Sequence, residues 1–525
     1  MFLIITVLIL FAAALALSVL QALRPNHRFA WLVAVGGAFL AWIGALLWQL
    51  RMPILMELPA WGSSALFAQS PAFFADRANW PYALALATLG LAVILTEVAR
   101  ENFPAPFSWA GTLTLIGLGL LAVTSNNPLT LVLVWTAIDL TELVMQLVST
   151  DEPGASERVV AGLTARLLGT GLLLWAGISS LQHGSELDLN APLPETGVYL
   201  VLAASLRLGV LPLHLAYSAE SALRRGFGAA LRFVSAASSL VILARLPAQG
   251  IVSPFAHVLL LLVAAASLYG GWMWMRSPDE LSGRPYWIIA LASLSIAAAL
   301  RGSAVGSVGW GIAMMLAGGA LFLSSVQHRV LQRVVLFAGL WGISALPFSP
   351  TAGGWDSGAP LTLIGWIAFP LLVAAQAMLA TGFIRHATRP AALEPLDAQM
   401  IWARNIYPAG IVLPLATLLL LGLLGWDGAR LLGTLPAGLS AAALTLLLLW
   451  LTPRLRWLNP TRAHWVRPQE EASRLDSVYA FLWNLYRSTG RLIESVNRTL
   501  EGEGGILWAL LFLVLFLSLL APRVP

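Results

Sequence analysis

The sequence predicts an all-α polytopic membrane protein of about sixteen transmembrane helices. Three observations carry that fold class. Of 525 residues, 58% are hydrophobic and only 10% charged, against roughly 25% charged in an ordinary soluble protein, which excludes a soluble enzyme. A bilayer core about 30 Å thick needs about 20 apolar residues per helix, and the chain holds some sixteen such stretches. Arginine is concentrated in alternate connections, as the positive-inside bias requires of a chain threaded back and forth.

In order, the spans read as 2–22, 30–50, 80–98, 107–125, 128–149, 159–181, 196–217, 227–247, 253–275, 285–300, 303–325, 330–347, 360–384, 408–425, 433–452 and 505–521. The first lacks a basic leader and is followed by further spans, so it reads as a transmembrane helix and not a secretion signal. Odd-numbered connections hold or border Arg24, Arg28, Arg100, Arg158, Arg224, Arg225, Arg276, Arg284, Arg329, Arg333, Arg385, Arg389 and Arg404. Even-numbered ones hold Arg51, Arg77, Arg301 and Arg430. This places the odd connections in the cytoplasm and both termini outside. The polar stretch before the last span is a separate element. From Ala472 to Leu500, Leu475, Tyr479, Leu482, Trp483, Tyr486, Ile493 and Val496 recur at helical spacing with arginines between them. That pattern makes an amphipathic helix, either a surface anchor or a brace against partner subunits on the cytoplasmic side.

Composition also excludes chemistry. Without cysteine there is no thiolate metal site, no cysteine-ligated iron–sulfur cluster and no cysteine nucleophile. No two of the seven histidines stand at the i, i+4 spacing that aims both at one metal, and no phosphate-binding glycine loop occurs, so no cofactor or metal is expected. The net charge of +5 sits in short interhelical connections, which points to the bilayer and not to nucleic acid. All thirty basic residues are arginine, which stays protonated where a buried lysine can lose its proton.

A charge inside the hydrocarbon region costs at least about 2.5–3.5 kcal/mol on the insertion scale and is a functional hypothesis by default. Asp139 and Glu142 stand three apart on one face of the fifth span. Arg166 lies two turns into the sixth, Arg207 lies in mid-seventh, and Arg232 lies near the start of the eighth. An acid facing an arginine two spans later suits a buried ion pair, either a structural bridge or part of a proton path. Pro212 removes a helical hydrogen bond beside Arg207. His214, two residues on, is the member of this group that titrates near neutral pH without a large shift.

These residues resemble a family: the antiporter-like membrane subunits of respiratory complex I, membrane-bound hydrogenases and Mrp-type cation/proton antiporters. NPLTLVLVWTAIDL carries Asp139 where the family has its fifth-span acid. RLGVLPLH reproduces a basic residue five before a Pro-x-His, through Arg207, Pro212 and His214. Arg166 in ARLLG, the lateral amphipathic helix and the final span resemble the largest, sixteen-span member type. The likeness covers roughly residues 80–385. It implies two inverted five-helix repeats with broken helices, and it divides the chain as follows. N-terminal helices occupy 1–106, a first half 107–250, a second half 251–386, C-terminal helices 387–452, a cytoplasmic lateral helix 453–504 and a final span 505–525.

The resemblance implies a proton-translocating subunit of a multi-subunit energy-converting complex in the cytoplasmic (inner) membrane of a bacterium. That complex would be a proton-pumping, NADH:quinone oxidoreductase-like assembly, with other membrane subunits as partners. The implied proton-pathway residues are Asp139, Glu142, Arg166, Arg207, His214, Arg232 and Asp356, with helix breaks at Pro212 and Pro347. Two alternatives stay open: a non-conducting structural subunit, and the membrane subunit of an inorganic-carbon uptake system. Departures from the family pattern favour the structural reading. Arg207 replaces a lysine, and FVSAASSLVILAR leaves only Arg232 where a basic residue is expected. Met314 and Gly318 stand where a histidine or lysine is expected, and ALPFSPTAGGW keeps the break with Asp356 as its nearest charge.

Overall fold

A computed structural model describes residues 2–454, apart from 25–28, 60–69, 100–103, 150–154, 185–186, 191, 214–224, 247–254, 358–362, 391–392, 427 and 453. Among the described residues the chain forms fifteen α-helices. They are α1 (Phe2–Leu23), α2 (Ala30–Trp48), α3 (Trp80–Thr96), α4 (Pro106–Val123), α5 (Pro128–Ser149), α6 (Ala155–Gln182), α7 (Gly197–Arg207), α8 (Arg225–Leu240), α9 (Phe255–Arg276), α10 (Glu280–Leu300), α11 (Ala304–Leu323), α12 (Arg329–Gly342), α13 (Leu363–Ala387), α14 (Ile401–Leu424) and α15 (Leu435–Leu451). Twelve segments are long and apolar enough to cross a membrane, α8 doing so together with the 3-10 turn Val241–Arg245 that continues it. The chain is thus a multi-pass membrane protein by its helices. The helices follow the first fifteen hydropathy stretches in order. The lateral helix and the final span lie outside the described residues.

The centre of the bundle is built from α3, α8, α10 and α11, whose side chains are almost all buried, while α1, α2, α6 and α14 present apolar side chains outward. Small residues are what let the central helices close up, because between membrane helices packing and not hydrophobicity drives association. On α9, Gly270 sits so near Ala290 of α10 that a Cβ would lie 2.9 Å from its backbone nitrogen. On the other side Gly271 meets the Ala375 carbonyl of α13 equally closely, so α9 is wedged between two neighbours by two adjacent glycines. Where helices begin, polar caps satisfy the free N–H groups. Asp279 accepts from Leu281 and Ser282 N–H at 3.0 and 2.8 Å at the start of α10, and Ser303 accepts from Gly306 N–H at the start of α11.

Two small sheets lie in connections. β1 (Ile54–Glu57) and β2 (Ala72–Ala75) pair antiparallel between α2 and α3, with Ile54 opposite Ala75 and Glu57 opposite Ala72. This hairpin docks on the α4–α5 turn, since Phe74 N–H donates to the Thr124 carbonyl at 2.6 Å and Asn126 N–H to the Ala72 carbonyl at 2.9 Å. β3 (Val326–Gln327) and β4 (Leu393–Pro395) pair parallel.

Two helices stop in mid-course. α7 has 11 residues and α12 has 14, both too short to span. α7 ends in a Schellman motif: Gly209, at φ 73°, donates to the Leu206 carbonyl at 3.3 Å, and Val210 N–H donates to the Ser205 carbonyl at 2.8 Å. The break therefore falls after Arg207, ahead of Pro212, which the sequence marks as the breaking residue. α12 gives way to an irregular stretch around Pro347, with Ala345 and Phe348 at φ 56° and 62°, and then to a 3-10 turn Ala352–Trp355.

Candidate functional site

Four charged side chains meet between α5, α6 and α7, each no more than 1% exposed: Asp139, Glu142, Arg166 and Arg207. The helix periodicity places Asp139 and Glu142 one turn apart on the buried face of α5. The Schellman ending makes Arg207 the last helical residue of α7, where free carbonyl ends favour a cation. Arg207 grips Asp139 with both prongs, Nη1 to Oδ2 at 2.8 Å and Nη2 to Oδ1 at 2.9 Å. Arg166 Nε stands 3.3 Å from Asp139 Oδ1, and Arg166 Nη1 is bonded to Glu142 Oε2. Two cations and two anions thus share one buried site, the condition under which buried charge is tolerable.

Several residues that carry no charge complete the cluster. Arg207 also donates to the Thr170 hydroxyl at 3.2 Å, the Arg166 carbonyl at 3.3 Å and the Ser239 hydroxyl at 3.3 Å. Its guanidinium lies over the Trp135 ring at 4.2 Å, and Trp135 is held in turn by its N–H to the Ser238 carbonyl. Gly169 leaves the channel that Arg207 runs through, since a Cβ there would stand 2.6 Å from Arg207 Cγ. Sequence reasoning passes over Trp135, Gly169, Thr170 and Ser239 because each also fits an ordinary membrane helix. Only the spacing of serines at 235, 238 and 239 beside Arg232 hints at a polar face.

The remaining site residues lie on α8, after α7 and at the second break. Arg232 is fully buried on α8. Pro212 lies in the turn after α7, and His214 lies outside the described residues. Asp356 belongs to the other break, where it accepts from the Thr434 hydroxyl at 2.7 Å and faces Arg430 at 3.5 Å.

That second break is closed by side chains. The Gly342 carbonyl receives the Thr351 hydroxyl at 2.9 Å, and the Ile343 carbonyl receives Gln376 Nε2 at 3.0 Å. Gln376 Oε1 accepts the Trp355 N–H at 3.0 Å. Arg301, buried in the α10–α11 connection, donates to the Gly354 and Trp355 carbonyls at 2.7 and 3.2 Å. Desolvation lowers the Arg301 pKa to about 10, the charge of Asp356 opposing. At Met314 and Gly318 the space is taken by Trp287, whose N–H donates to the Met314 carbonyl at 3.1 Å and whose ring lies against Gly318. Trp274, Phe322 and Phe383 pack around it in tilted and edge-on arrangements, with ring centroids 5.2 to 6.3 Å away.

No protein-family model matches the chain, and no curated protein matches it by sequence. Among solved structures it is similar to a chain of the Mrp complex from Dietzia sp. DQ12-45-1b, with 15% identity and a TM-score of 0.73. That likeness covers 100% of this chain and 63% of the Mrp chain, so the protein spans under two thirds of that relative. A chain of respiratory complex I from Thermus thermophilus matches at 18% identity and TM-score 0.57, over 80% of this chain and 98% of its own. A chain of the membrane-bound sulfane sulfur reductase, an archaeal respiratory membrane complex, matches at 13% and 0.59, over 97% and 99%. At such identities the likeness establishes the fold, which is the one shared by these membrane-complex chains and by the antiporter-like family whose motifs the sequence resembles.

Proposed function

We propose that the protein is an antiporter-like membrane subunit of a multi-subunit energy-converting complex and takes part in proton translocation through its first half. One observation carries this reading: a four-charge cluster is buried at the broken end of α7. Intramembrane ionisable groups are expensive and mark ion paths by default, and a helix interrupted in mid-membrane is a recurrent transporter device. In this reading the two breaks stand fourth in each set of five, α4–α8 and α9–α13, as two repeated halves would place them. The arginine-rich connections face the cytoplasm of a bacterial inner membrane, and neighbouring membrane subunits supply any redox chemistry.

A structural, non-conducting role is the second reading, favoured by the closure of the second break and the tryptophan filling beside Met314. One experiment separates them: proton flux in vesicles holding the whole purified complex, wild type against Asp139→Asn at matched assembly. Reduced flux with retained partner activity supports translocation. Unchanged flux makes the protein a scaffold.

A further inference from the structure

Asp139 and Glu142 are one helical turn apart, yet their surroundings differ. Both Asp139 oxygens are engaged, by the two prongs of Arg207, with Arg166 also at Oδ1. Glu142 holds Arg166 through Oε2 alone, and its Oε1 accepts no hydrogen bond although the side chain is 0% exposed. A buried charged oxygen without a donor carries a penalty that a neutral carboxyl largely escapes.

The charge balance separates the two acids further. Two guanidinium groups and two carboxylates sum to zero. Protonating Asp139 would leave Arg166 and Arg207 side by side with no anion bridging them. Protonating Glu142 raises the cluster to +1 but leaves Asp139 between both cations. The other charged residues on the elements packed against α5 are Glu157 and Arg158 near the start of α6 and Arg225 and Arg232 on α8, while α4 carries none. Gln146, one turn beyond Glu142 and buried, extends the polar stripe toward the end of α5 at residue 149.

We infer that Glu142 is the carboxyl that takes up and releases the proton, and that Asp139 is a fixed counter-ion that positions Arg207 and Arg166. This rests on proton translocation as the function. On uptake an O–H bond forms at Glu142 Oε1 and the attraction to Arg166 weakens, and release restores the carboxylate and the bridge.

The test treats membranes holding the full chain with its native partners with dicyclohexylcarbodiimide, to whose central carbon a protonated carboxyl in apolar surroundings adds as its proton passes to nitrogen, and locates the adduct by mass spectrometry. The adduct is expected on Glu142, absent from Glu142→Gln, and accompanied by loss of flux. An adduct on Asp139, or on neither residue, would overturn the assignment. If Glu142→Gln does not assemble, the wild-type adduct position decides alone. An adduct on Glu142 in a complex that moves no protons keeps this assignment and removes translocation, so the two fail separately.

Discussion

Asp139 is where the buried charges balance, and its replacement measures what the balance is worth. Breaking a buried pair by removing one partner typically costs about 3–5 kcal/mol, because the other charge is stranded. Asp139→Asn leaves Arg207 facing a neutral amide, and Arg207→Gln leaves Asp139 with Arg166 alone. Each single variant should lower the yield and thermal stability of the assembled protein, and the double variant should recover part of the loss. Additive losses in that double-mutant cycle would show that the contact is not energetically coupled. A second residue tests the protein outside the membrane. Partial burial raises the Asp279 carboxyl, but hydrogen bonds from Ser282 and Leu281 and the charge of Arg389 outweigh it and hold it below the ordinary carboxylate value. A depressed folded-state value contributes stability above the unfolded value and loses it as pH falls through the folded one. Asp279→Ala should therefore cost about 1 kcal/mol at neutral pH as a lost helix cap. The gap to wild type should shrink as pH falls below about 4, read by thermal unfolding in detergent.

Among the elements, the helices are legible in the sequence, while the points where α7 and α12 stop short of a full span are less so. Hydropathy marks spans well because lipid offers backbone N–H and C=O groups no partner, so an apolar run in the bilayer forms a helix that bonds to itself. The same rule does not say where a helix stops. Pro212 signals a break, but Gly209 in the Schellman turn ends α7 at Arg207, and that glycine looks like any other in a membrane helix. The β1–β2 hairpin is equally hidden. Asp76, which directly follows β2, bonds Arg245 at 3.0 Å where the hairpin packs on the α4–α5 turn. Gln376 shows what closing a break requires, since it joins the Ile343 carbonyl to the Trp355 indole across α13. Gln376→Leu strands both groups at about 1–3 kcal/mol each. It should lower the melting temperature and raise amide hydrogen exchange around residues 343–355, and unchanged exchange there would show that the closure does not depend on this residue.

Across the whole molecule the two helices that stop short, α7 and α12, end in unlike surroundings. The first break ends in charge: Arg207 is bonded to Asp139 and, through it, to Arg166 and Glu142. The second ends in carbonyls capped by Thr351, Gln376 and Arg301, with Trp287 filling the space at Met314 and Gly318. The sequence shows this asymmetry as missing basic residues. It does not show the filling, because Trp287 and Gly318 are 31 positions apart and meet only through the packing of α10 on α11. If proton movement belongs to the cluster at the end of α7, the Asp356 carboxylate at the second break contributes to neither flux nor much stability. Asp356 pairs with an Arg430 side chain that is 73% exposed, at 3.5 Å, a geometry worth at most about 1 kcal/mol. Asp356→Asn should thus assemble normally and keep wild-type flux, whereas Asp139→Asn at matched assembly loses it. Equal loss in both variants would mean that a path crosses both halves, and the closure of the second break would then have to open during turnover.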